Sequence, residues 1–227
     1  MYTGMITDKG IFDAVWCPMM WADEQNDANR VKPERDYDPL QSIYEALFTG
    51  IHSKWVFIES TDEGMKALPY GESFWLHIPF STGKFLLTAH QVIWYSVNGS
   101  GGTVTVIRNK KYSPRDDEAV EAEKYLQVLM VQHVFRFFSE VDEVRVVSKY
   151  PEYPDQETTD PTSRELVEAD SWAQDIMMQK RGLIQLVPRL DKCPQCWWRN
   201  CPARKVDPVV PSVHFKVGKS HVSGVLD

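Results

Sequence analysis

No stretch of this sequence approaches the roughly 20 consecutive apolar residues that a membrane-spanning helix needs. The opening residues, MYTGMITDKG, have neither a basic n-region nor an apolar h-region, so no signal peptide is read there. Both absences point to a cytoplasmic protein without a membrane partner, where structural disulfides are rare. Cysteine is itself scarce, with four in 227 residues. In that compartment thiols serve as metal ligands, as catalytic groups or as core residues. Positive charge is in deficit: 25 Lys and Arg against 32 Asp and Glu leave a net charge of −7. That balance argues against an indiscriminate nucleic-acid binder, while leaving room for a local basic groove. No internal repeat is present. One gap is local. From Lys84 to Ser113 the chain contains no Asp and no Glu.

What is there is enough for one substantial core. A helix is expected from about Asp13, then a charged loop, NDANRVKPERDYD. DPLQSIYEALFTGIH follows as a helix, with Asp38 as cap and Pro39 in its first turn. Its Leu40, Ile43, Tyr44, Leu47, Phe48 and Ile51 fall on one face. SFWLHIPF, GKFLLTAHQVIWYSV and GTVTVIRNK read as three mostly antiparallel strands, separated by the turn sequences STG and NGSGG. A long helix is expected over Asp116–Ser139, then a strand, DEVRVVSKY, parallel to an earlier one, then a helix over Thr162–Lys180. The predicted class is α/β, a mixed central sheet flanked by helices. Residues 1–205 form one domain, and 206–227 an extended C-terminal tail.

The cysteines divide unevenly. Cys193, Cys196 and Cys201 crowd into DKCPQCWWRNCPAR, whereas Cys17 stands alone in FDAVWCPMMW. A short turn can aim three thiolates at one point, and Cys17 is the remaining candidate for a fourth. Four-thiolate sets hold zinc or an iron–sulfur cluster. Spacing by itself favours zinc, and four unrelated thiols are the plain alternative. Either group would clasp the two ends of the domain by closing a loop of about 180 residues, a constraint felt mainly by the unfolded chain. Trp197 and Trp198 inside the cysteine loop would shield such a group or stack on a base.

A lone cysteine in an N-terminal helix with a C-terminal cysteine trio resembles the iron–sulfur RecB-like exonucleases of the PD-(D/E)XK superfamily, the CRISPR-associated, phage and AddB types. FDAVWCPMMW resembles their Cys-Pro helix, and LFTGIHSKWVFIE their Gly-x-His helix. LLTAHQVIWYSVNGSGGTVTVIRNKKYS resembles the nuclease hairpin, and EKYLQVLMVQHVF the helix after it. The resemblance spans about 190 residues and implies a PD-(D/E)XK core with a [4Fe-4S] cluster on Cys17, Cys193, Cys196 and Cys201, zinc being the alternative.

Carried over residue by residue, the resemblance sets His52 on the family histidine, Lys110 on the motif lysine and Gln127 on the helix glutamine. The first metal-binding aspartate falls on Gln91, the second acid on Arg108 and the motif tyrosine on Val131. Hydrolysis of this type needs divalent ions held by anionic oxygen. A neutral amide and a guanidinium do not supply it, so no catalytic magnesium or manganese is expected. His52 is then a packed or hydrogen-bonded residue, as is His133 on the apolar stripe of its helix. Arg108 and Lys110, with Lys111 in the basic run RNKKYSPR, would instead hold a phosphate.

The expectation is a catalytically inactive binding or assembly subunit in DNA processing, encoded by a prokaryote or phage, with a protein partner and with DNA as a second ligand. The first alternative is an active exonuclease whose acids migrated to Asp116, Asp117 or Glu118. The second is a zinc-stapled structural protein.

Overall fold

The computed structural model describes residues 5–19, 39–45, 55–61, 64–69, 74–80, 83–96, 101–180, 183–196 and 201. The expected tail, 206–227, lies outside them, as do His52, Trp197 and Trp198.

The fold is mixed α/β, with two mixed sheets rather than the single sheet expected. The smaller has the order β1-β5-β4, formed by β1 (Met5–Thr7), β5 (Gly83–Ala89) and β4 (Phe74–Phe80). The larger has the order β2-β3-β6-β7-β8-β9. Its strands are β2 (Trp55–Thr61), β3 (Gly64–Pro69), β6 (Gln91–Tyr95), β7 (Thr103–Asn109), β8 (Glu143–Lys149) and β9 (Gln156–Thr158). The sequence reading took GKFLLTAHQVIWYSV as one strand. The chain breaks at His90, so that β5 belongs to one sheet and β6 to the other. Both halves are β-rich, and no Gly or Pro marks the break. Strands β2 and β3 went unread for want of a clean alternation in WVFIEST and GMKALP.

Strands β6 and β7 pair antiparallel on either side of NGSGG. Gly101 and Gly102 have φ of 72° and 90°, and a Cβ on Gly102 would lie 2.0 Å from the Tyr95 carbonyl oxygen. Strands β7 and β8 run parallel, in register from Thr103↔Glu143 to Asn109↔Lys149. A parallel pair needs a long crossover, and α3 (Asp117–Phe135) supplies it. Asp116 caps this helix, its Oδ1 accepting from the Ala119 N–H at 2.9 Å.

Helix α1 (Asp8–Trp16) begins five residues before the expected start, capped by Thr7, and ends at Cys17. Helix α2 is described over Pro39–Tyr44. Helix α4 (Ser163–Lys180) opens on a capping box, in which Thr162 Oγ1 accepts from Glu165 N–H and Glu165 Oε2 accepts from Thr162 N–H. The core lies between the sheets and helices. It gathers Ile11 and Ala14 of α1, Leu76 and Phe85 of the small sheet, Val104, Val106, Val144 and Val146 of the large one, and Leu126, Met130 and Val134 of α3. Of the expected stripe, Leu126, Leu129, Met130, His133, Val134 and Phe138 are buried and Phe137 is partly buried.

Candidate functional site: a buried ion cluster beside an aromatic cleft

Side chains alternate along a strand, so Val104, Val106 and Arg108 of β7 share one buried face. Their register partners on β8 are Val144, Val146 and Ser148, which are buried too. Arg108 is 1% exposed. A guanidinium withdrawn from water needs anionic partners. Two elements far apart in sequence supply them. Asp8, the first residue of α1, accepts through Oδ1 from Arg108 Nη2. Glu123 of α3 sets Oε1 3.2 Å from Arg108 Nε, an ion pair without hydrogen-bond alignment. Its Oε2 lies 2.7 Å from Lys110 Nζ. Arg108 Nη1 faces Met130 Sδ at 2.9 Å. Two cations and two carboxylates thus form one compact, formally neutral cluster.

Further hydrogen bonds fix the carboxylates. The Thr88 N–H donates to Asp8 Oδ2, and the Ser148 hydroxyl donates to Glu123 Oε1. Gln127 Nε2 donates to Ser148 Oγ at 2.9 Å and to the Gln156 carbonyl at 2.7 Å, while its Oε1 accepts from Thr158 Oγ1 at 2.9 Å. Gln127, expected at a catalytic position, therefore ties α3 to β8 and β9. The electrostatics follow from the cluster. Burial would raise the Asp8 carboxyl, but Arg108, Lys110 and the Thr88 amide hold it below the usual range. Burial and the Arg108 charge push the Lys110 ammonium down, against the pull of Glu123 and Asp8.

Gln91 stands apart from this cluster. Gln91 pairs with Ile107, on the opposite face of β7 from Arg108. The residue on the cluster side is His90, whose N–H donates to the Ile107 carbonyl at 2.8 Å and whose Nδ1 accepts from the Asn109 N–H at 3.0 Å. Burial and the nearby Arg108 hold its imidazole below the ordinary range. Val131 is buried among apolar core residues. The acids expected to migrate are engaged elsewhere: Asp116 caps α3 and pairs with Lys192 at 2.7 Å, and Glu118 pairs with Arg189 at 2.7 Å. Asp117 is exposed in the first turn of α3.

Nor are Arg108 and Lys110 an open phosphate pocket. Both are committed to carboxylates that sequence reading missed. Glu123 was legible in principle, because it lies three, four and seven residues before Leu126, Gln127 and Met130 and so on the buried stripe. Asp8 left only a capping signal, Thr7-Asp8.

A cavity of about 510 Å³ adjoins the cluster, between α1 and the segment linking β7 to α3. Its apolar wall includes Phe12, Trp16, Tyr112 and Tyr150. Lys110 Nζ lies 5.0 Å from the centre of the Phe12 ring, Lys111 Nζ 5.3 Å from that of Tyr112, and the Arg115 guanidinium 5.2 Å from that of Trp16. Such cation–ring contacts are attractive.

The cysteines lie in two segments of the chain. Cys17 follows α1, its N–H donating to the Asp13 carbonyl at 2.9 Å. Cys193 lies in a 3-10 turn, Leu190–Gln195. The residues just before the two cysteines touch: Lys192 Nζ stands 4.9 Å from the centre of the Trp16 ring. None of the four cysteines is in a disulfide; Cys17 and Cys201 are buried and Cys193 and Cys196 half-buried. Among the described residues no group of three or more His, Cys, Asp or Glu side chains is arranged to hold a metal ion. As placed, the four thiols do not converge on one point. Also among the described residues, no helix is long and apolar enough to cross a membrane.

No family model matches this chain, and no curated protein matches it either. Among solved structures, the crystal structure of SSO0001 aligns over 92% of this chain and 86% of that one, at 18% identity and a TM-score of 0.35. That degree of likeness carries no argument about fold or function.

Proposed function

We propose that the chain is a catalytically silent relative of the RecB-like PD-(D/E)XK nucleases, acting as a DNA-binding or assembly subunit of a larger complex. The observation that carries this reading is the seat of Arg108, between the carboxylates of Asp8 and Glu123. Those two acids are the anionic oxygens a divalent cation would require, and a permanent cation already lies between them. A guanidinium cannot lower the pKa of a bound water as a metal does, and it repels a metal from the same place.

The pattern Arg108-x-Lys110 at the end of a hairpin strand, followed by a crossover helix, supports the resemblance. In this reading the four cysteines form a clasp, with a [4Fe-4S] cluster as its group. The support is their spacing and the Trp16–Lys192 contact beside Cys17 and Cys193. The thiols would have to draw together on binding it. A colourless anaerobic preparation holding zinc would sink the cluster; a brown one absorbing near roughly 400 nm would sustain it.

One observation favours a second reading, an active nuclease with relocated acids: Asp8 and Glu123 do reach the motif strand from α1 and α3. DNA degradation assays with manganese separate the two. Silence predicts no cleavage by the wild-type chain. Cleavage that Lys110→Ala abolishes would establish the second reading.

A further inference from the structure

The cleft beside the ion cluster is not explained by catalytic silence, because the cluster is satisfied without it. Its charges do not cancel. Each acid that lines it has a partner: Asp8 pairs with Arg108, Asp13 with Lys9 at 3.7 Å and Asp116 with Lys192 at 2.7 Å. Lys111 and Arg115 also line it, and among the described residues neither has a carboxylate partner. Each rests instead near an aromatic ring, Tyr112 and Trp16 respectively. On a chain whose net charge is −7, two uncompensated cations facing one aromatic cavity make a local positive site. Tyr112 is 72% exposed at this cleft. A large aromatic ring in that position is costly to leave in water and well placed for stacking. The volume, about 510 Å³, lies in the range that holds a small organic ligand.

We infer that this cleft binds a single nucleotide, with its base against Tyr112 and the neighbouring aromatic wall and its phosphate on Lys111 and Arg115. Stacking on an aromatic ring is tolerant of base identity, and it contributes about 1–3 kcal/mol per base. The phosphate supplies the anion the two cations lack. The shared chemistry, base plus phosphate, arises in a free nucleotide and in the phosphorylated end of a strand. The inference rests on the binding part of the reading above and not on catalytic silence.

The test is calorimetric titration of the full chain, at low and moderate salt, with five probes. These are a nucleoside 5′-monophosphate, the matching nucleoside, inorganic phosphate, a 5′-phosphorylated oligonucleotide and the same oligonucleotide without its terminal phosphate. The monophosphate should bind at least tenfold more tightly than nucleoside or phosphate alone. The affinity should fall tenfold or more in Tyr112→Ala and in the double variant Lys111→Ala, Arg115→Ala, and weaken as salt rises. These residues are exposed, so folding should be unchanged by circular dichroism. Arg164→Ala, a cation 87% exposed on α4, should change nothing. Preference for the phosphorylated oligonucleotide over its unphosphorylated twin would identify a strand end as the source, and indifference between them, with the monophosphate still bound, a free nucleotide. Binding of phosphate as tight as that of the monophosphate, binding unaffected by the variants, or no binding of the monophosphate overturns the inference. Manganese-dependent cleavage, measured separately, would overturn silence while leaving the cleft in place.

Discussion

Arg108 shows what a buried charge demands of its surroundings. A buried guanidinium is tolerated only with its counter-charges in place, and here they come from α1 and α3, remote in sequence from β7 and from each other. Removing one partner leaves an uncompensated charge behind. Glu123→Ala is expected to destabilise the fold by about 3–5 kcal/mol, read as a shift of the urea midpoint; a loss under about 1 kcal/mol would mean the cluster contributes no more than a surface pair. The pH response should show the same cluster. His90 titrates below its ordinary 6.5 in the folded state, so folding binds fewer protons there. Its contribution is present above about pH 6.5 and is lost as pH falls. Asp8, also lowered, adds stability above pH 3.8 that disappears at more acid pH. Urea midpoints should therefore fall as pH drops from about 7 to about 5, and His90→Gln should flatten that fall. At this scale Arg108, Lys110 and Gln127 could be singled out from the sequence, but their partners could not. Those depend on which carboxylates arrive through tertiary packing, and no local pattern around Arg108 states that.

Among the elements, those with caps and strong periodicity were the readable ones. Asp116 and Thr162 mark helix starts as their side chains suggest, and α3 and α4 follow within a few residues. The break at His90 was not readable, because the strand changes sheets without a glycine or proline and both halves keep β-forming residues. The turn between β6 and β7 was readable, and its demand is strict. Gly102→Ala would force a Cβ against the Tyr95 carbonyl and hold alanine at positive φ. More than about 1 kcal/mol should be lost, with the hairpin amides losing hydrogen-exchange protection first. Asp116 has two tasks, capping α3 and pairing with Lys192 of the cysteine segment. Asp116→Ala should cost about 1 kcal/mol for the cap and speed tryptic cleavage at Lys192. Unchanged cleavage would mean that this ion pair does not hold the segment.

At the scale of the molecule, a chain of net charge −7 carries a neutral ion cluster and a locally positive aromatic cleft. The cysteine segment is held to α1 and α3 by Lys192 and Arg189. The α/β class and the parallel β8 strand follow from patterns visible in the sequence. The division into two sheets does not, because it depends on how β5 and β6 part. The central claim is that a guanidinium takes the place between Asp8 and Glu123 that hydrolysis would need for a metal. Its most direct test is a nuclease assay on purified wild-type protein, with end-labelled single- and double-stranded DNA and manganese. The account predicts intact DNA at every enzyme concentration. Degradation that is removed by chelator and by Lys110→Ala would contradict it.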